Sequence, residues 1–227
     1  MSTFMRVAWL IVRKDVAVEV RSWELVSTTV FFAFACILVF AFAFVEEGRV
    51  VTNVSAGILW IAIAFSGTLA LARTFERERQ TETLRALLLA PADRPALYVG
   101  KLLGIVLLML TTEVVLVPLV ALFFQAPVLA RPALFAALLV AGTIGYAAVG
   151  TLFAAMLVRA RSRDVMLPIL LYPITIPVII AGVRGTAALF QESPDPAVAQ
   201  FWLGLLVFFD LVFVTLALWT FEPLMTE

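Results

Sequence analysis

The chain has 227 residues, of which 63% are hydrophobic and 14% charged, and its mean hydropathy is +1.09. Soluble domains average about half apolar and about a quarter charged residues, so this composition excludes a soluble catalytic domain, a secreted disulfide scaffold and a disordered tail. The one cysteine makes no internal disulfide, and the absence of histidine excludes an imidazole ligand or base. Sixteen basic against sixteen acidic residues offer nucleic acid no net attraction. The composition is typical of a helical membrane protein.

Six apolar stretches predict transmembrane helices. Each has close to the roughly 20 residues that a helix needs to cross the hydrocarbon core. Together they take up most of the chain, so we expect residues 1–227 to form a single transmembrane domain without an extramembrane domain. The predicted spans are residues 25–45, 54–72, 102–125, 133–158, 165–183 and 201–221.

The basic residues predict the orientation of these spans. Thirteen of the sixteen lie before the first span, between the second and third spans, or between the fourth and fifth. The other three, Arg49, Arg131 and Arg184, lie in the alternate connections. Because basic residues favour the cytoplasmic side, both termini are predicted to be cytoplasmic.

Residues 4–21 are too charged to span the membrane and too apolar for a solvated tail. Apolar residues such as Val7 and Ile11 are mixed with cations such as Arg13, and the amphipathic ring of Trp9 favours headgroup depth. This mixture predicts a helix along the cytoplasmic interface. The helix either braces the bundle or touches a partner, or it is an anchor with no further role.

Residues 76–94, between the second and third spans, form another charged segment. Its charges alternate in sign at helical spacing, and leucines then form an apolar patch before Pro91 ends the helix. This apolar patch needs to be buried, either in lipid or in a groove on a cytoplasmic protein. Its position suits a coupling helix that passes force into the bundle. The candidate contact residues are Glu76, Arg77, Glu78, Glu82, Leu84, Leu87, Leu88, Asp93 and Arg94.

The sequence contains no recognisable nucleotide-binding loop. Gly100-Lys101-Leu102 lacks both the earlier glycine of a phosphate loop and the Ser or Thr that reaches Mg²⁺. If ATP drives this protein, we therefore expect another chain to bind it.

The fourth and fifth spans have compositions that indicate close packing. Small residues between positions 141 and 150 allow another helix to approach closely, either within the chain or across a dimer. Pro168, Pro173 and Pro177 each remove a backbone donor from the fifth span. They predict a kinked helix that is packed inside the bundle or lines a cavity, unless the kinks are merely static.

Two acidic residues lie near the middle of predicted spans. Glu113 and Asp210 have no basic residue in any span to neutralise them, so they need an aqueous cavity, hydrogen-bond donors or a bound proton. Thr111, Thr112 and Thr215 are nearby donors in the sequence. A clasp between helices is the favoured interpretation, and handling of substrate or protons is the alternative.

Several short motifs together resemble the haem exporter protein B (CcmB) family, the permease subunit of the cytochrome c maturation ABC transporter. The resemblance runs from the N-terminal segment through the fifth span. The motifs are Lys14-Asp15, Glu19-Val-Arg21-Ser-Trp-Glu24, Gly57-Ile-Leu-Trp60, Glu76-Arg-Glu78, Leu87-Leu-Leu-Ala-Pro91-Ala-Asp-Arg94, Tyr98-Val-Gly-Lys101 and Pro173-Ile-Thr-Ile-Pro177.

The resemblance implies an all-α, six-helix ABC-2-type permease of the bacterial cytoplasmic (inner) membrane, paired with a second copy. Residues 76–94 would dock on a CcmA-like ATPase subunit, beside CcmC- and CcmD-like membrane proteins and a CcmE-like periplasmic haem chaperone. ATP hydrolysis would be tied to haem export or delivery, or to release of the haem-loaded chaperone. The chain itself would hold no cofactor: ATP belongs to the partner and haem is a candidate substrate.

Three other functions are compatible with the residues. The first is an ABC-2-type exporter of a lipid, glycan or drug, and the second is an assembly scaffold that transports nothing. The third is an intramembrane enzyme that uses Glu113 and Asp210 as paired carboxylates. No other recognisable nucleophile or metal cluster supports the enzyme, so we expect a chain that is not catalytic by itself.

Overall fold

Helices dominate the part of the chain that the computed structural model describes, which is residues 3–46, 49–50, 54–80, 94–157 and 163–226. The elements in chain order are α1 (Thr3–Ser22), α2 (Glu24–Ala43), β1 (Val45–Glu46), β2 (Arg49–Val50), α3 (Ser55–Gln80), α4 (Arg94–Phe124), α5 (Pro132–Met156), α6 (Arg163–Phe190) and α7 (Pro196–Thr226).

Six of these helices, α2 to α7, are long and apolar enough to cross a membrane. This confirms the prediction of an all-α membrane protein with six spans, and the two-residue strands β1 and β2 form only a small antiparallel hairpin after α2. The side of the membrane on which the termini lie stays a prediction from the basic residues.

The helices extend beyond the predicted apolar stretches. α3 continues past Ala72 to Gln80, and α4 begins at Arg94, well before the predicted start of its span. Apolar length is set by the hydrocarbon core, whereas a helix continues for as long as its residues allow backbone hydrogen bonding. Both helices therefore extend into the charged connection between the second and third spans.

Helix α5 lies at the centre of the bundle and packs against α3, α4, α6 and α7. Its small residues make room for large side chains: a Cβ at Gly142 would collide with the indole of Trp60, and one at Gly150 would collide with Leu71. Gly182 of α6 meets the other part of the same indole. The small-residue stretch thus packs against other helices of the same chain.

Helix α6 continues through all three of its prolines as one helix. Pro173 and Pro177 are exposed on the outside of the described bundle, and Pro168 is half-buried. One interpretation of the sequence expected these prolines to pack inside the bundle. Pro173 and Pro177 do not pack inside this chain. The Thr175 hydroxyl donates to the Leu171 carbonyl at 2.9 Å.

Candidate coupling site

The predicted coupling segment joins the end of α3 to the start of α4. Glu76, Arg77 and Arg94 belong to these helices, and Glu76 and Arg77 are half-buried. The side chain of Glu78 and the whole of Glu82, Leu84, Leu87, Leu88 and Asp93 lie outside the described residues. The described part of the site is therefore the base of the segment, where α1 contacts both flanking helices.

The first contact at this base is an ion pair between α1 and α4. The Lys101 ammonium lies 2.9 Å from Asp15 Oδ2, and its side chain is only 5% exposed. Lys14 contacts the other oxygen of the same carboxylate, also at 2.9 Å. A buried ammonium is tolerated when a carboxylate pairs with it, so Asp15 compensates the charge that α4 carries at the start of its apolar stretch.

The second contact joins α1 to α2 and α3 through Glu19. Its Oε1 accepts the Val26 backbone N–H at 2.8 Å, in the first turn of α2. Its Oε2 lies 3.4 Å from Arg77 Nη1, and Arg77 also approaches the Ser22 hydroxyl at 3.5 Å. A carboxylate at a helix N-terminus satisfies a free N–H and interacts well with the helix dipole.

The position of Glu19 follows from a break between α1 and α2. Trp23 separates the two helices with a left-handed backbone, at φ 53 and ψ 13, and makes no side-chain cap. Non-glycine residues adopt this conformation rarely. The Glu19 carboxylate supplies the cap that Trp23 does not.

Two glycines let α1 lie directly on α4. A Cβ at Gly100 would be 2.8 Å from Ile11 Cβ and 3.0 Å from the Ala8 carbonyl oxygen. One turn later, a Cβ at Gly104 would be 3.3 Å from Asp15 Oδ2. Small residues four apart are a common basis of close helix contact in membranes. The buried residues Ala8, Ile11 and Val12 complete an apolar contact beside the ion pair.

A groove runs beside these contacts, between the second half of α1, the first turn of α2, the end of α3 at Thr74 and residues 101–111 of α4. Its lining includes the charged residues Asp15, Glu19 and Lys101, and most of the other lining residues are apolar. The buried Thr74 hydroxyl in its lining has no hydrogen-bond partner within the described ranges.

The two intramembrane acids lie on different sides of α5. Glu113 of α4 is 4% exposed, and its Oε1 accepts a hydrogen bond from the Thr143 hydroxyl. Asp210 of α7 faces Gly145, where a Cβ would be 2.5 Å from its Oδ1. Because residues two apart on a helix point in nearly opposite directions, Thr143 and Gly145 separate the two carboxyl groups. This geometry gives no support to the paired-carboxylate enzyme.

The donor to Glu113 differs from those that the sequence suggested. The hydroxyls of Thr111 and Thr112 donate to the Leu107 and Leu108 carbonyls of their own helix, at 2.8 and 3.2 Å. This back-bonding is common for Thr inside helices. Glu113 thus links α4 to α5, whereas Glu113 Oε2 and Asp210 Oδ1 have no hydrogen-bond partner in the part of the chain that is described.

A hydroxyl cluster that the sequence analysis missed joins α3, α5 and α6. The Tyr146 hydroxyl donates to the Ala64 carbonyl at 2.7 Å and lies 2.7 Å from Thr68 Oγ1. The Thr68 hydroxyl lies 3.1 Å from that of Tyr172. The sequence feature that could have predicted this cluster was the presence of tyrosines inside spans, since a buried phenol needs a polar partner.

Comparison with known proteins gives the family. The sequence model described as "CcmB protein" matches residues 6–223, nearly the whole chain. The chain belongs to the CcmB family. Heme exporter protein B of Pseudomonas aeruginosa is 29% identical over 175 residues, which cover 77% of this chain and 78% of the relative. The protein of the same name from Paracoccus denitrificans is 30% identical, over 77% of this chain and 78% of its own length. The one from Rhodobacter capsulatus is 29% identical, over 65% of this chain and 69% of its own length.

Family membership confirms the resemblance that the motifs indicated, and together with the six apolar helices it identifies the chain as a multi-pass membrane protein. The matched range includes nearly all of α1, all six spans and the connection that contains the coupling segment. Within the described residues, no three acidic or cysteine side chains are grouped to hold a metal ion.

Proposed function

We propose that this chain is the permease subunit of an ATP-driven complex in cytochrome c maturation. A partner ATPase binds and hydrolyses ATP, and the permease couples that hydrolysis to haem export or delivery, or to release of a haem-loaded periplasmic chaperone. Membership of the CcmB family over residues 6–223 is the observation that carries this proposal.

Residues 76–94 are the proposed contact with the ATPase. Support comes from the helices on either side, because α3 and α4 both belong to the spanning bundle and both extend into this connection. A displacement of the segment would therefore act directly on two spans. Leu84, Leu87 and Leu88 supply the apolar face that a cytoplasmic groove would cover.

The resemblance to the family suggests the remaining partners of this proposal. They are a CcmA-like ATPase, CcmC- and CcmD-like membrane proteins, a CcmE-like chaperone and a second copy of the permease, in the bacterial inner membrane. Haem is the substrate in this proposal and no cofactor resides in the chain. The permease is not an enzyme by itself, since the complex obtains its chemistry from the ATPase.

The docking test replaces the leucine patch by Leu84→Asp, Leu87→Asp and Leu88→Asp together. Buried carboxylates in an apolar interface are costly, so we expect the ATPase to be lost from the purified complex while the permease still inserts. Leu129→Asp is the matched control, because Leu129 is 82% exposed in the connection after the far end of α4. Retention of the ATPase by the triple variant would contradict the docking role.

The substrate test follows haem bound to the chaperone in vesicles that contain the complex. An ATPase subunit that binds but does not hydrolyse ATP should stop haem delivery or chaperone release. Unchanged transfer with that subunit would indicate an assembly scaffold, and ATP-driven export of a lipid, glycan or drug without haem transfer would indicate another exporter.

A further inference from the structure

Two carboxylates of α1 hold three other helices. Asp15 and Glu19 are four residues apart, so they lie one turn apart on the same face of α1. Asp15 contacts Lys101 of α4, whereas Glu19 contacts Arg77 of α3 and caps α2.

Their cationic partners lie on either side of the coupling segment. Arg77 is in the last turn of α3, and Lys101 is about two turns into α4. The same face of α1 therefore contacts the helix that leads into the segment and the helix that leads out of it.

We propose that α1 is a positioning element for coupling, in which Asp15 and Glu19 hold Lys101 and Arg77 at a fixed separation so that α3 and α4 move together. This inference rests on the proposed coupling role of residues 76–94. Without the two ties, force on the segment would spread the ends of α3 and α4 apart and would be lost before it reached the rest of the bundle.

The ion pairs can be removed without detaching α1. Ala8, Ile11 and Val12 are buried, and Ile11 and Ala8 contact the Gly100 surface of α4 independently of the charges. Asp15→Asn and Glu19→Gln retain side-chain oxygens, and the glutamine can still accept the Val26 N–H. The double variant thus weakens the ionic ties and retains the apolar contact and the α2 cap.

The first experiment compares the complete wild-type complex with the complex that contains Asp15→Asn and Glu19→Gln. The ATPase should still co-purify, while haem transferred per ATP hydrolysed falls at least about fivefold, the lower end of ordinary coupling between sites. Glu24→Gln is the control, since this exposed carboxylate in the first turn of α2 is close in sequence, and it should leave the ratio unchanged. If the two ion pairs only stabilised the complex, the double variant would reduce the amount of complex but not the haem transferred per ATP hydrolysed.

A second experiment replaces one ionic tie by a covalent one. A Cβ at Gly104 would lie 3.8 Å from Asp15 Cβ, which is the usual separation in a disulfide. In a Cys36→Ala background, Asp15→Cys with Gly104→Cys should show a high transfer ratio when oxidised and a low ratio when reduced. This pair also decides the question if the first double variant accumulates poorly.

The outcomes separate this inference from the proposed function. If the ATPase did not co-purify with the wild-type permease, the proposed coupling role would be overturned, and this inference with it. A bound ATPase with the same transfer ratio in the double variant, or the same ratio in the oxidised and reduced cysteine pair, would overturn only the positioning role of α1.

Discussion

The close contact between Trp60 and two glycines predicts a large effect from a single methyl group. A Cβ at Gly142 or at Gly182 would collide with the indole, so Trp60 is confined from both α5 and α6. It is 2% exposed, and its Nε1 donates to Thr186 Oγ1 at 2.9 Å. Gly142→Ala therefore forces the indole to move and breaks this hydrogen bond.

The magnitude follows from three contributions. Overpacking of a tight core costs about 1–3 kcal/mol. A buried indole N–H that loses its acceptor costs about 1–3 kcal/mol more. Alanine is favoured over glycine inside a helix by about 1 kcal/mol, which offsets part of this loss. We expect Gly142→Ala to lower the free energy of unfolding by about 3 kcal/mol.

The assay is denaturation of the purified protein in mixed micelles, followed by loss of helical circular dichroism. Gly204→Ala in α7 is the matched control, because no atom of the described chain lies within 4 Å of a Cβ there, apart from the neighbouring residues and the backbone of its own helix. It should leave stability unchanged or raise it slightly. Equal stability of Gly142→Ala and Gly204→Ala would refute the packing argument.

A double variant tests the cause of the effect. Trp60→Leu removes the indole that the new methyl group meets, so Gly142→Ala should cost much less in that background than in the wild type. Additive losses would show that the methyl group acts through something other than Trp60.

Three further predictions concern the intramembrane polar groups and the orientation. Glu113→Gln should retain an acceptor for Thr143 and stay near wild-type stability, whereas Glu113→Ala should lose about 1–3 kcal/mol by leaving that hydroxyl without its acceptor, as measured in the same micelle assay. Tyr146→Phe should lower the free energy of unfolding by about 1–2 kcal/mol, since the Ala64 carbonyl and the Thr68 hydroxyl of α3 lose a buried partner, and an unchanged unfolding midpoint would refute this hydrogen-bonding role. Leu129→Cys in a Cys36→Ala background should react with an impermeant thiol reagent from the periplasmic side of intact cells, and labelling only after the cells are opened would reverse the orientation.

The ion pairs of α1 and the tight packing around Trp60 lie in different parts of the bundle. Trp60, Gly142 and Gly182 bring α3, α5 and α6 into one tightly packed unit. Asp15 and Glu19 instead act at the end of α3 and the start of α4, beside the groove and outside this unit. Stability and coupling should therefore respond to separate substitutions.

The intramembrane acidic residues show which hydrogen-bonding features can be predicted from residue types alone. The need of Glu113 for a donor was predictable, because an unpaired carboxylate in a span is costly. The donor itself was not, since the nearby Thr112 hydroxyl bonds to its own helix and Thr143 arrives from α5. Hydroxyl geometry depends on the rotation of neighbouring helices about their axes, which the sequence of one span does not specify.

The sequence by itself determined that α2 to α7 cross the membrane, because a bilayer imposes one apolar length on every span and hydropathy reports that length directly. It also indicated the family, through motifs spread along the chain. Only the tertiary structure decided that Asp15 meets Lys101, 86 residues away, and that Glu19 meets Arg77, 58 residues away. Such pairings depend on how helices cross and how closely glycines let them approach, and these are properties of the packed bundle rather than of any local stretch.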